Sequence, residues 1–73
     1  MMFATALQLL IDKHNYPIAR LSREVNISRS HIYRLLNGEI NPTLATIERL
    51  CLAFDIAPHQ FFKLIESDKE DSF

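Results

Sequence analysis

The sequence predicts an all-α fold, a compact bundle of five short helices without strands. Three observations predict it. Apolar residues recur at spacings of three and four through most of the chain. The breaks between these stretches hold asparagines, prolines and the single glycine, residues that turn a backbone or stop a helix. Nearly half of the 73 residues are hydrophobic and 23% are charged, a balance that suits a packed core and not a disordered chain. At this length the chain is one small domain, near the lower limit at which a single apolar core suffices.

The first helix is expected from about Phe3 to Lys13, with Phe3, Leu7, Leu10 and Ile11 at helical spacing. The second begins near Pro17, whose missing N–H costs nothing in a first helical turn, and ends around Val25. Leu21 and Val25 give it an inward stripe. Asn26 follows, a residue that tolerates the left-handed conformation of a sharp helix-to-helix turn. Ile27 plugs the corner, and Ser28 is a preferred N-cap for the third helix, which spans Ser28 to Asn37. Asn37-Gly38 closes it at a residue that takes positive φ freely. After a loop from Glu39 to Pro42, Thr43 caps a fourth helix whose inward set reads Leu44, Ile47, Leu50, Cys51 and Phe54. Residues 55–57 form a connection, and Pro58 opens a fifth helix in which Phe61, Phe62, Leu64 and Ile65 are apolar. The mostly acidic residues after Glu66 read as a disordered tail, so the expected boundaries are a domain over 1–66 and a tail over 67–73.

On the third helix Ile32, Leu35 and Leu36 point one way, while Arg29, Ser30, Tyr33 and Arg34 point the other. A short helix, a tight turn and a second helix with a hydrogen-bonding outer face present that face to the major groove of a duplex. Charge distribution agrees. The net charge is −1, but residues 1–38 carry a balance of +3 and residues 39–73 a balance of −4. The positive half contains the reading segment, an asymmetry that steers one end of the molecule toward phosphates.

Other classes find little support. Met1 to Ile11 is apolar but lacks a basic leader and runs into Asp12-Lys13, so it is not expected to be a signal sequence. No segment reaches the ~20 apolar residues of a membrane span. One cysteine forms no intrachain disulfide, which suits a cytoplasmic location, and Cys51 within an apolar stripe reads as core. His14, His31 and His59 fit no metal-ligand spacing. No phosphate-binding glycine loop and no nucleophile–base pair are evident, so neither cofactor, small-molecule ligand nor enzymatic activity is expected.

The series Leu21-Ser22, Asn26-Ile27-Ser28-Arg29-Ser30, Ile32, Asn37-Gly38, Asn41-Pro42-Thr43, Thr46, Leu50, Ala53-Phe54 and Ile56 resembles the Cro/CI-type helix-turn-helix regulators, also called the xenobiotic-response-element family. The resemblance covers roughly residues 7–62 and implies a lambda-repressor-like domain of five helices, the third lying in the major groove of double-stranded DNA. It implies base contacts from Arg29, Ser30, Tyr33 and Arg34. It implies phosphate contacts from Ser28, His31, Asn37, Asn41 and Thr43. Several positions depart from the family pattern. Pro17-Ile18 replaces a common Ser-Gln pair and removes a side-chain phosphate contact. Glu39 stands where a basic residue is frequent. Asn26 takes the place of the turn glycine, Ser22 that of a small alanine, and Ile11 that of an arginine.

Several positions keep two readings at this stage. Arg29 and Arg34 either reach a base or a phosphate or are ordinary solvated groups on an exposed helix face, and Ser30 either reaches a base edge or is simply an exposed residue of a helix start. Tyr33 either packs on a thymine methyl or the sugar-phosphate wall, or folds back over the second helix. Phe61 and Phe62 diverge by about 100° on a helix, so one faces the core while the other, with Ile65, offers a partner surface; alternatively both tuck inward. Family members of this size often dimerise through the C-terminal helix, which implies a homodimer with Phe61, Phe62 and Ile65 at its interface. The functional expectation is a sequence-specific transcriptional regulator, acting as a repressor on a near-palindromic operator. The other expectation is a protein-interaction module on the same fold, such as an antitoxin or antirepressor, which the negative net charge and Glu39 motivate.

Overall fold

A computed structural model describes residues 2–71, with side chains described as far as Glu66. It contains α1 (Phe3–Lys13), α2 (Ile18–Val25), α3 (Arg29–Leu36), α4 (Leu44–Phe54) and α5 (Pro58–Asp71). These are the five helices read from the sequence. The backbone of residues 67–71 continues α5 beyond the expected domain boundary, and the expectation for Ser72 and Phe73 lies outside the described residues.

Each of the first four helices ends in the same way. A residue with positive φ follows the last turn: Asn15 (49°), Asn26 (57°), Gly38 (72°) and Asp55 (57°). The next N–H then reaches back five residues, from Tyr16 to Ile11, Ile27 to Ser22, Glu39 to Arg34 and Ile56 to Cys51. This closure satisfies carbonyls that a helix end otherwise leaves orphaned, and it reverses the chain within two residues. Tyr16, Ile27 and Ile56 are partly buried against the core just after the reversal, so each closure is also an apolar latch. The helix starts differ. Ser28 Oγ accepts the His31 N–H at 3.1 Å, and Thr43 Oγ1 accepts the Thr46 N–H at 3.2 Å, as their capping chemistry predicts. Before α5, Gln60 Oε1 instead accepts the Ala57 N–H at 2.8 Å, half of a capping box whose other half alanine cannot make.

The connections are too short for distant packing. α1 lies against α3 and α5, α2 against α3 and α4, and α4 against α5. The core takes Leu7, Leu10 and Ile11 from α1, with Ala6 permitting close approach. It takes Leu21 and Val25 from α2, Ile32 and Leu35 from α3, and Ile47, Leu50, Cys51 and Phe54 from α4. Phe61 of α5 closes one end, fully buried and stacked on Phe3 at 5.5 Å between ring centroids. Tyr16 meets Phe54 edge-on at 5.5 Å, and the His14 ring lies 5.4 Å from the same phenylalanine.

Two expectations are corrected. Leu44, counted above with the inward set of α4, is 62% exposed. It is the first helical residue, a turn before Ile47; it lies within about 20° of Cys51 around the axis but at the end of the helix, ahead of the buried segment. Phe61, counted among interface residues, is a core residue. Its ring, stacked on the partly buried Phe3, points between α1 and α4, which leaves Phe62 as the outward ring at 38% exposure.

Candidate nucleic-acid interface

The turn between α2 and α3 sets the geometry of the site. Asn26 takes the left-handed conformation, and its N–H and that of Ile27 both donate to the Ser22 carbonyl. Ser22 Oγ in turn donates to the Ile27 carbonyl. Ile27 is partly buried beneath this clasp, and Ser28 starts α3 with an extended backbone. Ile32 and Leu35, with no exposed surface, then anchor α3 to α1 and α2.

That anchoring decides what faces outward. Arg29, Ser30, His31, Tyr33 and Arg34 are all exposed. Tyr33 is 51% exposed and so does not fold back over α2 to bury its ring. Neither Arg29 nor Arg34 has a carboxylate within ion-pair distance among the described residues. Arg20 behaves differently: its Nε donates to Glu24 Oε1 at 3.0 Å, and its guanidinium lies 5.0 Å from the Tyr16 ring centroid. Arg20 and Glu24 neutralise one another locally. Among the described residues, the first-half cations without an ion-pair partner are therefore Lys13, Arg23, Arg29 and Arg34, two of them on α3.

The expected phosphate-contacting residues surround this face unevenly. Ser28 and His31 belong to the first turn of α3 and are exposed; the Ser28 oxygen is engaged in capping but its hydroxyl proton is not. Thr43 and Asn41 are exposed at the start of α4 and in the preceding loop, with Thr43 Oγ1 also 3.0 Å from Thr46 Oγ1. Asn37 is committed elsewhere, its Nδ2 donating to Glu39 Oε2 at 3.2 Å. The Glu39 carboxylate, at a position where the family frequently has a basic residue, thus occupies the neighbouring amide.

Among the described residues no comparable constellation lies elsewhere. Among the described residues no group of three His, Cys, Asp or Glu side chains is placed to hold a metal ion. Burial pushes the Cys51 thiol above its ordinary range, with the Glu48 carboxylate adding to the effect, so it stays protonated inside the core. No described helix is long and apolar enough to cross a membrane.

Two helices joined by a three-residue turn, the second buried on one side and studded with hydrogen-bonding side chains on the other, define a helix-turn-helix DNA-binding domain. The family model for the Cro/C1-type HTH DNA-binding domain matches residues 6–67, and the chain belongs to that family. No curated protein matched the chain. Sequence reasoning missed the Ser22 clasp and the left-handed Asn15 and Asp55. Serine in a helix carries no distinctive signal, whereas the five-residue spacing to a turn carbonyl is visible only once the turn is formed.

Proposed function

We propose that this protein is a sequence-specific, double-stranded DNA-binding transcriptional regulator, acting as a repressor. The observation that carries this reading is the division of α3: Ile32 and Leu35 are fully buried while Arg29, Ser30, Tyr33 and Arg34 stand exposed along the opposite side. In the major groove, arginine pairs in bidentate fashion with guanine O6 and N7, serine reaches either edge of a base pair, and tyrosine packs on a thymine methyl. Ser28, His31, Asn41 and Thr43 hold phosphates on either side and fix the register of the helix. Asn37 joins them once it releases Glu39.

Such a domain reads a near-palindromic operator as a homodimer, with half-sites about one helical turn, roughly 34 Å, apart. The dimer contact falls on α5 at the exposed Phe62, with Ile65, half-buried against the core, one turn on, because Phe61 belongs to the core. Occlusion of polymerase at such an operator is the simplest mode of repression for a domain of this size, and a DNA partner together with one protonated, buried thiol suits the cytoplasm. No catalytic step, cofactor or small-molecule effector enters this reading.

Titration of short duplexes by fluorescence anisotropy across a salt series tests it. Counterion release makes log affinity fall linearly with log salt, so tight binding at low salt with a steep negative slope is the expected result. Absence of duplex binding at low salt would overturn it. The better reading would then be a protein-interaction module on the same fold, to which the Asn37–Glu39 hydrogen bond and the −4 balance of residues 39–73 point.

A further inference from the structure

We infer that Ser22 is a positioning residue for the reading helix, acting through the turn without touching DNA. The inference rests on the regulator reading above and adds a specificity-determining residue outside the exposed face of α3. Ser22 holds both main-chain groups of Ile27: its carbonyl accepts the Ile27 N–H at 3.2 Å, and its hydroxyl donates to the Ile27 carbonyl. The same Ser22 carbonyl also accepts the Asn26 N–H. Three hydrogen bonds therefore tie one α2 residue to the two residues before the Ser28 cap.

The other three helix ends close through main-chain bonds of the same kind. Among the described residues, none of them has a side chain bonded across the turn to a carbonyl beyond it. The Ile27 carbonyl needs this partner. It precedes the cap, so no α3 amide reaches it; the first α3 bond, from the Ile32 N–H, goes to the Ser28 carbonyl instead. The bond is partly buried, so without the hydroxyl the carbonyl gains fuller hydration when the Ile27–Ser28 peptide rotates outward.

Rotation of that peptide moves the Ser28 cap and the first turn of α3, which carries Arg29 and Ser30. Ile32 and Leu35 keep α3 attached to the core, since they lie a turn or more further along. Losing the hydroxyl therefore loosens the aim of the helix without detaching it. Bidentate base contacts depend on that aim, whereas the charge presented to phosphates does not.

The test compares wild type, Ser22→Ala and Ser22→Thr, all as the full chain. In the free protein, amide hydrogen exchange in Ser22→Ala is expected to quicken at residues 26–31 and stay unchanged in α1 and α4, with Ser22→Thr close to wild type. With duplexes, Ser22→Ala is expected to lower the ratio of specific to non-specific affinity by roughly three- to tenfold, the span of one lost hydrogen bond. Its non-specific affinity and salt slope should match wild type, and Ser22→Thr should restore the ratio. Equal weakening of specific and non-specific binding would mark Ser22 as merely structural and overturn the inference, as would an unchanged ratio or unchanged exchange in the turn. If the wild type binds no duplex, the regulator reading and the positioning role fall together, while the exchange experiment still decides whether the hydroxyl holds the turn.

Discussion

Glu39 gives the account its sharpest electrostatic test. Its carboxylate lies just past the C-terminus of α3 and accepts a hydrogen bond from the Asn37 amide at 3.2 Å. Beside a phosphate it acts twice: it repels the anion and withholds a donor. With ~6 Å between carboxylate and phosphate in water, the repulsion is about 0.7 kcal/mol. Glu39→Gln removes that charge and should tighten binding roughly threefold per subunit at low salt. Glu39→Lys changes the charge by two, favours binding by about 1.4 kcal/mol per subunit, and should tighten binding roughly tenfold for each subunit bound. The lysine variant should also steepen the log–log salt slope by about 0.9 per subunit, the signature of one more neutralised phosphate in each half-site. Anisotropy titrations from low to moderate salt measure both quantities. The folding cost is small, because the Asn37–Glu39 bond is exposed and such surface contacts contribute at most about 1 kcal/mol. If Glu39→Lys leaves affinity and slope unchanged in a folded protein, the loop after α3 does not approach the phosphates, and the assigned roles of Asn37 and Asn41 are wrong.

Three further predictions concern stability and are checked by thermal or urea unfolding. Phe61→Ala should cost about 3–5 kcal/mol, since it removes a fully buried ring stacked on Phe3, whereas Phe62→Ala should cost well under half as much; equal effects would contradict the division of the two rings. Ala57→Ser should complete the capping box that Gln60 has half built and gain about 0.5–1 kcal/mol; a loss would show that the α5 start lacks room for the hydroxyl. Asp55→Asn keeps a residue tolerant of positive φ while removing a negative charge from the C-terminus of α4, and should gain about 0.3–1 kcal/mol at low salt and less at high salt; a salt-independent effect would exclude the dipole as its cause.

What the sequence disclosed was mostly local chemistry. Asn26, Ser28, Gly38, Thr43 and Pro58 announce turns, caps and helix starts because their backbone and hydrogen-bonding preferences act within four residues. The structure has each of them in its expected role. The exposed face of α3 was legible for a similar reason, since Ile32 and Leu35 alternate with polar neighbours at helical spacing. Tertiary placement was harder to read. Leu44 fits an apolar period but lies at the helix start, ahead of the buried segment, and periodicity does not reveal where packing begins along a helix. The choice between Phe61 and Phe62 depends on where α1 places Phe3. The charge count likewise conceals that Arg20 is tied to Glu24 and Tyr16, and that Glu39 holds the Asn37 side chain. Those pairings arise from side-chain geometry that composition does not contain.

Selection from a randomised duplex pool, carried out in parallel with wild type and Arg29→Ala, tests the central claim most directly. The account predicts one enriched motif for wild type, made of two inverted half-sites about one helical turn apart. For the variant it predicts the same motif with preference relaxed at one base per half-site and affinity lower by about 1–3 kcal/mol per half-site. Enrichment of no motif by wild type, or an identical motif with uniformly weaker binding in the variant, would contradict base reading by α3.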